Sequence, residues 1–208
     1  MRDERARVAV RGQRLEYFTI AYNSLEGLIA DGFGLLAGSI ALVGFGFDSV
    51  IEVTSGAVLL WRLRAEMDEE RRERAEARSL RVVGICFVAL AIYVGYEAAA
   101  SLLRHESPER SMPGIVLAAA SLVVMPLLAR AKRRVARDIE SAAMTADAKQ
   151  TELCTYLSAI LLGGLALNAL FGWWWADPSA ALLMVPLIGI EGYKALRGES
   201  CCEQGMCH

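Results

Sequence analysis

Three absences bound what this chain can be. From Leu15 to Trp61, and again from Gln150 to Tyr193, it contains no lysine or arginine. A soluble domain disperses charges of both signs over its surface, so basic-free stretches of that length exclude an ordinary soluble fold. There is no His-Glu-x-x-His, no Gly-x-Ser-x-Gly and no Walker-type glycine loop. The metalloprotease, serine-hydrolase and nucleotide-driven classes therefore lose their sequence signatures, and an enzyme is not expected. The N-terminus carries Arg2, Arg5, Arg7, Arg11 and Arg14 without a short apolar core and small-residue cleavage site. No signal peptide is expected, and this segment is assigned to the cytoplasm.

What the chain does have is apolar residues in long runs. It is 208 residues long, 55% hydrophobic and 22% charged, with mean hydropathy +0.35. Much of the arginine is gathered into 62–81 and 130–137. Six candidate spans are read at about 15–36, 40–63, 80–103, 113–129, 140–172 and 174–195. Each meets or approaches the ~20 residues needed to cross the hydrocarbon. The connections alternate in charge. Ala37-Gly38-Ser39 has no basic residue, the next connection holds Arg64, Arg71, Arg72, Arg74, Arg78 and Arg81, and the third only Arg104 and Arg110. The fourth holds Arg130, Lys132, Arg133, Arg134 and Arg137, the fifth none, and Lys194 and Arg197 close the last span. The positive-inside rule puts both termini in the cytoplasm.

The expected fold is all-α: a polytopic membrane protein, a six-transmembrane-helix bundle. Its organisation is expected to be 1–14 as a cytoplasmic N-terminal segment, 15–197 as the transmembrane domain and 198–208 as a cytoplasmic tail. The lipid bilayer is the first partner, with the plasma (inner) membrane the expected location. Nothing points to nucleic acid, and the net charge of −2 says little about partners because loop charge is what matters.

Chemistry is concentrated in the spans. Asp48 and Glu52 are four residues apart, so a helix puts them on one face, one turn apart. A carboxylate in hydrocarbon is costly and normally faces the bundle interior, a partner or a water-filled cavity. Two stacked carboxylates point to a cation site. The competing reading is a structural ion pair, for which Lys149 is the basic residue expected at comparable depth. An unpaired buried carboxylate tends to hold a proton, and a metal would displace it. In the fifth span, Asp147, Gln150, Glu152 and Cys154 fall within eight residues, with Gln150 and Cys154 on one face. A Cys154 thiolate is a soft ligand that favours zinc or cadmium; a packing role is the alternative. In the first span Tyr22, Asn23 and Glu26 can line one face, as a third wall, a proton relay or a structural hydrogen bond. Asp31, Glu97 and Glu191 are read as interfacial, and Trp173-Trp174-Trp175 as an aromatic belt. Gly34 and Gly38 form a G-x-x-x-G. The tail gathers Cys201, Cys202, Cys207 and His208, which either close around a soft cation or are incidental.

These residues resemble a known family. Ser39-x-Ala41-Leu42 followed by Asp48-Ser49-x-x-Glu52 is similar to the second-helix metal-binding signature of the cation diffusion facilitator (cation efflux) family. Ala146-Asp147-Ala148 resembles its fifth-helix signature, Ala-Asp-Ala-x-His-x-x-x-Asp, and Trp175-Ala176-Asp177-Pro178 its usual lead-in to the sixth helix. Gly46-Phe47-Asp48-Ser49-Val50, with Leu60-Trp61-Arg62, looks most like the short, vesicular-zinc-transporter-like branch, which has no C-terminal cytoplasmic domain.

The resemblance implies a six-helix bundle whose second and fifth helices hold a divalent cation midway, exported against protons by alternating access in a homodimer. Carried over by position, Asp48 and Glu52 match the second-helix pair, and Gln150 and Cys154 the fifth-helix pair. Beyond the resemblance, Asp147 is expected among the metal-site residues, and Asn23 and Glu26 as accessory or proton-relay groups. Gln150 replaces the family's His, Cys154 replaces its Asp, and Phe45 stands where an extra Asp is frequent. Zinc is the first expected substrate, with cadmium, manganese and iron(II) as alternatives. A different class remains: a non-transporting membrane metal sensor or scaffold, which needs only a closed site.

Overall fold

A computed structural model describes residues 2–64, 69–105, 108–139 and 142–197. They form six helices: α1 (Arg2–Ala37), α2 (Ile40–Arg64), α3 (Glu69–Arg104), α4 (Met112–Ile139), α5 (Ala142–Phe171) and α6 (Ala176–Arg197). The all-helical expectation holds, and the chain is a multi-pass integral membrane protein. Large apolar side chains such as Leu28, Leu35, Leu103, Val116, Leu170 and Leu183 lie on its outside, as lipid-facing positions require.

Among the described residues, five helices are long and apolar enough to cross a membrane by length and composition: α2 to α6. α1 is long but not apolar enough. The reason lies in its buried stripe, which runs through Glu16, Thr19, Asn23 and Glu26. Its inward face is polar, and hydropathy averages that polarity over the whole helix. α1 also begins at Arg2, so the expected N-terminal segment continues the helix.

α2 is the central element, packed against α1, α3, α5 and α6, and the most buried of the five spans. The other main pairings are α3 with α6, α4 with α5, α1 with α4, and α5 with α6. The two glycines of the expected G-x-x-x-G do different jobs. Gly38 stands at φ 66° beyond the end of α1, and Ser39 N donates to Gly34 O at 2.9 Å. That is a helix C-terminal cap, which needs the left-handed conformation glycine adopts freely. Gly34 is the close approach: a Cβ there would sit 2.8 Å from Val43 Cγ2 and 2.9 Å from Val43 N.

The start of α2 is held twice. Ser39 Oγ accepts from Leu42 N at 3.1 Å, an ordinary N-cap bond. Asp177, on the first turn of α6, accepts from Ser39 Oγ at 2.5 Å, Ile40 N at 3.0 Å and Ala41 N at 3.4 Å. Asp177 is buried and thus ties two helices together at the end of the bundle marked by the tryptophans. Trp173 and Trp175 stack there, and His105 lies against Trp174.

Candidate functional site

The polar residues of α2 and α5 meet inside the bundle. Asp48 is 2% exposed, and Glu52 and Cys154 are 0% exposed. Cys154, on the face of α5 that packs on α2, lies near both carboxylates. Thr151, one turn before Cys154, donates from Oγ1 to Glu52 Oε1 at 2.7 Å. Glu52 Oε2 is buried and finds no hydrogen-bond donor. Gln150 is half-buried, and its Nε2 finds no acceptor. Phe45 is fully buried one turn before Ser49.

α1 and α4 form a further wall. Glu26 Oε2 accepts from Ser49 Oγ on α2 at 2.9 Å, and Glu26 Oε1 accepts a short hydrogen bond from Ser121 Oγ on α4. Tyr22 OH and Ser121 Oγ are 2.9 Å apart. Glu26 therefore joins three helices and acts electrostatically on Asp48 and Cys154. Asn23 is buried but turned to its own helix: Nδ2 donates to Thr19 O at 3.1 Å. Among the described residues, no three His, Cys, Asp or Glu side chains are grouped so as to hold a metal ion.

The ion pair lies elsewhere than the sequence suggested. Lys149 is exposed, whereas Lys132, assigned above to a connection, lies inside α4 and is 0% exposed. Its Nζ is 2.5 Å from Asp147 Oδ2 and 3.3 Å from Glu16 Oε2. Asp147 is thus held by an ammonium, and Glu16 is a buried acid the sequence reading passed over. A signal existed for both. Met125, Leu128, Ala129, Lys132, Val135 and Ala136 are all buried and follow helical spacing, so Lys132 continues the apolar stripe. The exposed Arg130, Arg133, Arg134 and Arg137 fall off it. Glu16 likewise continues the stripe of Thr19, Asn23 and Glu26 on α1.

The residues read as interfacial divide. Glu191 pairs with Lys194 at 2.9 Å. Asp31 is half-buried, its carboxylate packed against Gly46 of α2, and Glu97 is half-buried on α3. Cys201, Cys202, Cys207 and His208 lie outside the described residues.

Comparison with known proteins sets this geometry in context. Residues 18–199 match the family model for the cation efflux transmembrane domain. An uncharacterized transporter of Synechocystis is 27% identical over 153 residues, 71% of this chain and 49% of that protein. The cation-efflux pump FieF of Shewanella oneidensis is 28% identical over 127 residues, 59% of this chain and 41% of the pump. The chain thus spans under half the length of either relative.

Proposed function

This chain belongs to the cation efflux family, a family of membrane transporters rather than enzymes, and from that premise we propose that it exports a divalent cation, zinc foremost, in exchange for protons. The cation is held between Asp48 and Glu52 on α2 and Cys154 on α5, with Gln150 as a weaker fourth ligand. The observation that carries this reading is that two carboxylates and one thiol, from two packed helices, are all buried in the bundle interior. Such a set suits a borderline-soft cation better than magnesium or calcium. Carboxylates and thiols bind metal only when deprotonated, so taking up the cation releases protons and the two fluxes are linked. The ligands close around the cation as it binds, and alternating access exposes them to each side in turn. Glu26, hydrogen-bonded to serines of α2 and α4, is an accessory group on the proton route. Cytoplasmic termini, a plasma-membrane location, a homodimer through membrane helices and metal capture by the tail thiols complete the proposal.

The test is zinc uptake by the full chain in reconstituted vesicles, with and without a pH gradient. Zinc should accumulate in vesicles that are acidic inside, and Asp48→Asn should reduce uptake to that of protein-free vesicles while the protein still inserts. Wild-type uptake by Asp48→Asn would make the carboxylate pair structural. Zinc binding with no flux under any gradient would favour a sensor or scaffold.

A further inference from the structure

Lys132 has no part in the function proposed above, yet it is the only buried lysine or arginine among the described residues. Its ammonium enters from α4 and lies between Asp147 of α5 and Glu16 of α1. Glu16 is beside Gly56, one turn beyond Glu52 on α2: a Cβ at Gly56 would be 3.2 Å from Glu16 Oε2. The ammonium thus sits roughly one helical turn along the bundle from Glu52, and its charge acts on Glu52 as well as on its two bonded partners. Thr151 bridges the two levels. Its hydroxyl donates to Glu52 Oε1 and lies 3.2 Å from the Asp147 carbonyl oxygen.

The hydrogen bonding around the ammonium is incomplete. Glu16 Oε1, Asp147 Oδ1 and Glu52 Oε2 are each buried without a donor. An ammonium has three N–H groups, and the two carboxylates account for two of them. Lysine is a compact point charge on a flexible four-carbon stem, so it can redistribute among nearby acceptors more easily than arginine could. Unpaired carboxylates in a dry interior are costly, and Glu16, Glu52 and Asp147, from three helices, share this one cation.

We propose that Lys132 is a built-in counter-cation for the metal site: from its seat on Glu16 and Asp147 its ammonium compensates Glu52 when the divalent cation has left and repels that cation when it is bound. The proposal rests on the site reading above and deepens it. A transported ion must bind well enough to enter and weakly enough to leave. A fixed positive charge one turn from a divalent cation weakens that cation's binding by direct repulsion, and it compensates the carboxylates at release. Lys132 is therefore a positioning residue that sets affinity and turnover without touching the transported ion.

The experiment is zinc titration of the full-length protein against a chromophoric chelator. Each protein is compared with a copy that also carries Asp48→Asn, so that binding by the tail thiols cancels. Lys132→Met should raise the Asp48-dependent affinity by on the order of tenfold or more, and in vesicles KM and kcat should fall together because release is slowed. A merely structural lysine would lower affinity on removal. Should Lys132→Met fail to insert, Lys132→Gln, which keeps a polar head without the charge, carries the same expectation. An Asp48-dependent site whose affinity is unchanged or weaker without Lys132 overturns the counter-cation while leaving the site intact. Equal binding by wild type and Asp48→Asn overturns the site, and the counter-cation with it.

Discussion

Replacing Asp177 with alanine should cost this membrane protein about 3 kcal/mol, because it removes charge-assisted hydrogen bonds at a helix start. Asp177 is 1% exposed, and its carboxylate accepts from Ser39 Oγ, Ile40 N and Ala41 N. Alanine leaves a hydroxyl and two amide N–H groups of α2 without that acceptor. A hydrogen bond to a charged group contributes roughly 1.5–3 kcal/mol, and an N-cap about 1 kcal/mol. The Ala41 contact is long at 3.4 Å and adds little. The relief of no longer burying a carboxylate offsets part of the sum, which leaves the ~3 kcal/mol stated. For a chain of this size each kcal/mol moves Tm by about 2–4 °C, so the expected drop is about 6–12 °C. The assay is thermal unfolding in detergent followed by far-UV circular dichroism. Asp177→Asn keeps one carbonyl acceptor and should lose about half as much. Zinc affinity should be retained, since Asp177 contacts only the start of α2, about three turns before Glu52. A drop below about 2 °C in both variants would refute the view that α6 anchors the start of α2.

Cys154→Asp, which installs the residue usual in the family, should lower preference for cadmium over manganese in a competition uptake assay, because a carboxylate is a harder ligand than a thiolate. Identical competition in mutant and wild type would make Cys154 a packing residue. Two glycines of α1 should respond in opposite directions. At Gly32 a Cβ meets nothing within 4 Å, so Gly32→Ala should gain up to about 1 kcal/mol of helix propensity. At Gly34 the Cβ meets the backbone of α2, so Gly34→Ala should lose about 1–3 kcal/mol despite the same propensity gain. Melting temperatures of the two variants check the pair, and a matching rise in both would mean that α1 and α2 are less closely packed than described.

The sequence by itself determined the helices, the spans of α2 to α6 and the shared face of Asp48 and Glu52. These are local properties: hydrophobic runs of sufficient length, and a helical period that stacks residues four apart. The glycine turn at Gly38 was local too. What only the tertiary structure decided was which polar groups face one another. Lys132 stands among arginines, and a basic cluster after an apolar run reads as a loop; in the fold α4 continues to Ile139, so one cation is turned inward and four arginines outward. Glu16 and the polar stripe of α1 lower that helix's hydropathy, although the same residues are fully buried. Asp177 reads as a helix start for α6, yet its carboxylate serves α2, more than a hundred residues earlier in the chain. Hydropathy and periodicity describe one helix at a time. A buried charge is tolerated only where another helix supplies its partner, and that pairing exists only once the bundle has formed.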